Sequence, residues 1–218
     1  YILAAQVNNH IYILSGLGAD ERVFSRITSP ENHTHLSWIE NKSDESLHSY
    51  AARMAAKIEH SNPVLIGLSF GGIVAQEIAA MIPVKELILI STIQTKKEKP
   101  WYFSQVAKLE LVNYIPNFML AKPNIFVAYA FSLNAKEDKE VLQSCFDNTT
   151  AEHMKWAMKQ IVNWEVVEYN TPAFQIHSRQ NRIFRKEKSQ AKSFVSGGHF
   201  AAYTNADELI EILVDRFK

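Results

Sequence analysis

Gly67-Leu68-Ser69-Phe70-Gly71-Gly72 lies between an apolar run at 64–68 and a helical pattern at 73–81. The pattern is G-x-S-x-G. Glycines two before and two after a serine clear space for a strained strand-to-helix turn that exposes the serine hydroxyl. A purely structural tight turn is the competing reading of the same residues. The strand pattern before Ser69 and the helix pattern after it favour the first.

Outward from this point, short aliphatic runs bounded by turn residues read as buried strands at 11–14, 35–39, 87–90, 174–177 and 193–195. Leu47, Tyr50, Ala51, Met54, Ala55 and Ile58 fall at helical spacing behind a cap expected at Ser43, and Pro63 follows the stop. The last segment opens at Asn205, carries Glu208 three residues on as in a capping box, and puts Leu209, Ile212 and Leu213 on one face. Strands alternating with helices predict an α/β fold, a mostly parallel sheet of about six strands with helices on both faces. From 95 to 169 no clear strand is readable, while apolar residues recur at helical intervals over 101–111 and 154–164. The expected division is a core of 1–94 and 170–218 with a helical cap, 95–169, inserted into it. The aromatic stripe Trp101, Phe103, Trp156 and Trp164 is expected to pack against the sheet rather than to touch a substrate.

With 218 residues, 47% of them apolar, the chain suffices for one domain with a substantial core. Its 23 basic residues cancel its 23 acidic ones, so no diffuse positive field points to nucleic acid or to a membrane. No apolar run approaches the roughly 20 residues of a membrane span, and the opening stretch Tyr1 to Gln6 is too short for a signal-peptide core. Cys145 is the only cysteine, which excludes an internal disulfide and a thiolate zinc site and makes a cytoplasmic location the expectation. The first residue is Tyr1 rather than Met, so a leader before it stays open.

The seven glycines form three clusters, Gly16 with Gly18, Gly67 with Gly71 and Gly72, and Gly197 with Gly198, each next to an expected strand end. In an open parallel sheet, ligands bind outside the carboxyl ends of the strands, so the three loops are expected to converge on one pocket. A serine hydroxyl needs an imidazole to take its proton as it attacks. His199, behind the last strand and its two glycines, is the histidine in that position, and none of the other seven sits comparably. His177 reads as a hydrogen-bonded structural group. His33 and His35 share a strand face as metal ligands would, but a solvated role is favoured and no metal is expected. Asp20 is expected to cap the helix that carries Arg22.

The order of these parts resembles the α/β-hydrolase superfamily over essentially the whole chain. The matching pieces are Ser15-Gly16-Leu17-Gly18-Ala19-Asp20 after the first strand, the Ser69 turn, a cap insertion, a strand ending in Ile176-His177, and Gly197-Gly198-His199-Phe200. Segments 16–24 and 197–206 look like those of small bacterial α/β-hydrolases. The resemblance implies Ser69 as nucleophile, His199 as general base, an oxyanion hole from the backbone N–H groups of Leu17 and Phe70, and no cofactor. It also implies a triad acid after the penultimate strand, commonly in Ile-His-Gly-x-x-Asp. This chain reads Ile176-His177-Ser178-Arg179-Gln180-Asn181. Asparagine accepts a hydrogen bond but brings no charge, and its NH2 end selects the wrong imidazole tautomer if it faces the ring. Glu98 is the alternative acid, against its reading as a solvated charge in Lys96-Lys97-Glu98-Lys99. The expected function is a serine-dependent acyl hydrolase, an esterase or thioesterase acting on a small-molecule apolar acyl substrate. The alternatives are a non-catalytic binding module on the same fold and a cofactor-free lyase.

Overall fold

The structure, a computed structural model, describes residues 9–27, 31–120, 125–133 and 135–217. The opening stretch at 1–6 lies outside them. Strands β1 (Ile11–Leu14), β2 (His33–His35), β3 (Val64–Leu68), β4 (Glu86–Ile90), β5 (Ala173–Ser178) and β6 (Ser193–Val195) form one sheet in the order β2-β1-β3-β4-β5-β6. Every pairing is parallel.

Successive side chains of a strand point to opposite faces, and the two cores of the molecule are built from that alternation. Ile11, Ile13, Val64, Ile66, Leu68, Ile88 and Ile90 enter one core, together with Leu209 and Leu213 of α9 (Ala206–Arg216), the helix after the short α8 (Ala201–Thr204). Tyr12, Leu14, Leu65, Leu87 and Leu89 enter the other, against α1 (Leu47–Ala55) and α2 (Phe70–Ala79). With both faces covered, the strands read as unbroken apolar runs rather than alternating ones.

Between β4 and β5 the chain forms α3 (Phe103–Lys108), α4 (Asn117–Leu120), α5 (Ile125–Phe131), α6 (Lys136–Phe146) and α7 (Ala151–Asn163), with no strand among the described residues. Helix α7 starts at an N-cap, Thr150, whose side chain accepts from the His153 N–H. It is tied to the core by two indoles. Trp156 Nε1 donates to the Glu45 carbonyl at 2.8 Å, and Trp164 Nε1 donates to Glu77 Oε1 at 2.9 Å. Each apolar ring is buried with its polar N–H satisfied.

Several local expectations are corrected. The second strand is His33–His35, not 35–39, because after the Leu36 N–H donates to the Ile13 carbonyl the chain turns away and carries Trp38 toward the Gly16 turn, where its indole donates to the carbonyls of Gly16 and Ala19. The first helix is capped by Ser46, whose side chain accepts from the Ser49 N–H, rather than by Ser43. The helix after Ser69 begins at Phe70, three residues earlier than its apolar pattern indicates. Asn205 makes no side-chain cap bond, and Glu208 accepts instead from the Ser196 N–H at 2.7 Å, tying α9 to the end of β6. Trp101 is 73% exposed, edge-on to Tyr102 just ahead of α3, whereas Phe103, Trp156 and Trp164 are buried. Among the described residues no helix is long and apolar enough to cross a membrane.

Candidate active site

Ser69 joins β3 to α2 at φ 52° and ψ −115°, a conformation an L-residue adopts only when its surroundings impose it. Its neighbours do so. The Ser69 N–H donates to the Ile90 carbonyl of β4 at 2.9 Å, and the Thr92 hydroxyl donates to the Ser69 carbonyl at 2.6 Å. The turn then presses Gly71 against the end of β1, where a Cβ would stand 2.3 Å from the Ser15 carbonyl oxygen. That contact admits only glycine.

His199 arrives on the connection after β6, the edge strand three places from β3 in the sheet. A Cβ on the preceding Gly198 would fall 2.3 Å from Ser132 Cβ, so the bare backbone lets the segment after α5 close directly over the histidine loop. The His199 ring is held edge to face between Phe131 and Phe184, with centroids 5.0 and 5.7 Å away. Its Nε2 lies 2.8 Å from Ser69 Oγ and its Nδ1 lies 3.2 Å from Asn181 Oδ1. Burial, with a smaller contribution from His177, pulls its pKa from 6.5 down to about 3, so the resting imidazole is neutral.

The Asn181 oxygen also accepts from the N–H groups of Ile183 and Phe184, both at 3.0 Å. Two backbone donors require an oxygen at that point, which fixes the amide orientation. His199 Nδ1 therefore carries the hydrogen, and Nε2 turns its lone pair to the Ser69 hydroxyl. Asn181 Nδ2 is buried and has no partner.

The structure brings Ser69, His199 and Asn181 into one hydrogen-bonded line, and it does not bring Glu98 to that line. Nor is Glu98 a solvated charge: it is 4% exposed. Its carboxylate accepts from the N–H groups of Gln94, Thr95 and Gln190 and from the Gln175 side chain. That set of donors anchors the β5–β6 connection, on which Asn181 rides, to the end of β4. His177 is buried and its Nε2 donates to the Phe184 carbonyl at 2.6 Å, a second brace on the same connection. Asp20 accepts from the Arg22 N–H at the start of a short 3-10 turn and pairs with its guanidinium. His35 is not solvated as expected, since its Nε2 lies 2.7 Å from the buried Ser15 hydroxyl. Among the described residues no three His, Cys, Asp or Glu side chains gather as a metal would require.

Beside Ser69 lies the Gly16-Leu17 turn, close enough that a Cβ on Gly16 would sit 3.4 Å from Ser69 Cβ. Phe70 opens α2, where the first amides of a helix have no internal acceptor. Among the described residues no hydrogen bond uses the N–H of Leu17 or of Phe70. Ser69, His199 and Leu17 form one wall of a cavity of about 600 Å³. Phe103, Met119, Val127 and Met158, from the helices between β4 and β5, form another. Among the described residues no Asp, Glu, Lys or Arg lines it. The sequence reading missed Phe131 and Phe184 as walls of this cavity. The only signal they gave was apolar character, which does not distinguish a cavity wall from a filled core.

No family model and no curated protein matches the sequence. Solved structures do match in shape. An alpha/beta hydrolase fold protein from Burkholderia ambifaria superposes with a TM-score of 0.68 at 14% identity, covering 95% of this chain and 90% of the other. A lipase-esterase related protein from Clostridium acetobutylicum gives 0.71 at 14% identity over 98% of this chain and 96% of its own. MenH from S. aureus gives 0.62 at 17% identity over 100% and 97%. The chain has the α/β-hydrolase fold.

Proposed function

We propose that the protein is a serine-dependent acyl hydrolase, of esterase or thioesterase type, in which Ser69 is the nucleophile and His199 the general base. The hydroxyl oxygen of Ser69 attacks the acyl carbonyl carbon and its proton passes to His199 Nε2. The oxyanion accepts hydrogen bonds from the Leu17 and Phe70 N–H groups, donors that need no rearrangement when the charge develops. The tetrahedral intermediate collapses, and the His199 imidazolium returns the proton to the departing oxygen or sulfur. Water then attacks the acyl-enzyme with His199 again as base, releasing the carboxylic acid and restoring the Ser69 hydroxyl.

The observation that carries this reading is the 2.8 Å contact between Ser69 Oγ and an imidazole nitrogen whose tautomer is fixed from behind. The helices of 95–169 act as a cap on the core of 1–94 and 170–218, and the apolar cavity between the two receives the acyl group. The lipase-esterase related neighbour is consistent with this chemistry, although at 14% identity it speaks only for the fold.

Hydrolysis of an aryl ester by the native protein and by Ser69→Ala, with the products identified by mass spectrometry, tests the proposal. The expected result is free carboxylic acid from the native protein and a loss of roughly a thousandfold or more in the variant. Equal rates in the two proteins would remove Ser69 from the mechanism. Products whose masses do not sum to substrate plus one water molecule would favour a lyase, and no turnover by either would favour a binding module.

A further inference from the structure

We propose that Asn181 is a positioning residue that selects the working tautomer of His199 without supplying charge, and that the site is therefore fitted to electrophilic donors of an uncharged apolar acyl group, thioesters or aryl esters rather than alkyl esters or amides. This deepens the hydrolase reading and rests on it.

The drawback of asparagine behind a catalytic histidine is that its amide has two ends. With the NH2 toward the ring, the imidazole hydrogen moves to Nε2, which then cannot accept the serine proton. Here the choice is made by the backbone. Asn181 Oδ1 has three donors, the N–H groups of Ile183 and Phe184 at 3.0 Å each and His199 Nδ1 at 3.2 Å. Asn181 Nδ2 is buried without a partner among the described residues, so every donor that orients the amide acts on its oxygen. Reversing the amide would set an NH2 group against two buried N–H groups.

Geometry is thus preserved while the charge is absent. The line ends at Asn181, and Glu98 is engaged elsewhere with Gln190 and Gln175. Among the described residues the groups that face His199 are Ser69, Asn181, the rings of Phe131 and Phe184, and His177, whose charge acts on it. His177 is itself buried and spends its Nε2 hydrogen on the Phe184 carbonyl. An imidazolium formed during attack meets amide and peptide dipoles but no anion, so His199 is a correctly aimed but weak base. A carbonyl that is already electrophilic demands less proton transfer to His199 at the transition state. The described cavity lining, in which no side chain is an Asp, Glu, Lys or Arg, selects in the same direction by offering a carboxylate or ammonium on the acyl group no partner.

Two measurements test this together. In isotope-labelled native protein, the nitrogen spectrum of His199 at neutral pH is expected to show hydrogen on Nδ1 and none on Nε2, a result that depends on no variant and no substrate. In kinetics, Asn181→Asp is expected to raise kcat/KM, which reports the steps through acylation and not the shared deacylation, roughly tenfold or more on an alkyl butyrate. The gain on a butyryl thioester or aryl butyrate is expected to be clearly smaller. A native Nε2–H tautomer overturns the proposal, as does an Asn181→Asp enzyme whose gain is absent or equal for both donor classes. The Nδ1–H tautomer in a protein with no esterase activity would instead uphold the positioning role and overturn the hydrolase reading beneath the substrate class.

Discussion

At Ser69 the geometry is enforced by what side chains omit; at Asn181 it is enforced by what the backbone supplies. The turn between β3 and α2 exists because Gly71 has no Cβ to strike the Ser15 carbonyl oxygen 2.3 Å away. The connection between β5 and β6 works through the Ile183 and Phe184 amides, which would serve any residue offering an oxygen at 181. The first region tolerates almost no change of residue. The second converts an apparent chemical defect into a usable tautomer, and that difference separates what glycine spacing can announce from what only folding can.

The largest effect is expected in the turn between β3 and α2. Gly71→Ala places a methyl group inside backbone rather than against a flexible side chain, and is expected to cost roughly 3 kcal/mol or more in urea unfolding. A cost near zero would mean that the Ser15 contact is not the constraint. On the other side, the histidines that frame the Asn181 connection are buried and neutral, and both His199 and His177 have pKa values lowered chiefly by burial. In the unfolded chain they titrate near the ordinary 6.5, so below that value the unfolded state binds more protons and gains on the folded one. Stability is therefore full above the unfolded pKa and is lost as pH falls. The His199 contribution amounts to about 2 kcal/mol between about pH 8 and about pH 5. His199→Gln is expected to flatten that part of a thermal-melting profile, and an unchanged slope would show that His199 is hydrated rather than buried.

The strands were legible because a parallel sheet covered on both faces leaves apolar runs that need no partner to be recognised, as at 64–68 and 87–90. The edge strand was not, because β2 is three residues with two exposed positions and carries no such run. Ser69 and His199 were legible because glycine reports a local backbone requirement. Asn181 was located by the order of the motifs, but its consequence was hidden, since the donors that orient it are main-chain groups. Glu98 sits among lysines in the sequence, yet its partners include Gln190, which only the fold brings beside it. Trp101 shows the reverse case: it follows the helical rhythm of its segment but lies ahead of α3 and faces outward.

The proposed mechanism requires Ser69 to be an activated nucleophile. Treatment of the native protein and of Ser69→Ala with a fluorophosphonate, followed by intact mass and peptide mapping, measures that directly. One adduct is expected, on the peptide containing Ser69, and none on the variant. A folded native protein that stays unmodified while a reference serine hydrolase reacts would contradict that mechanism.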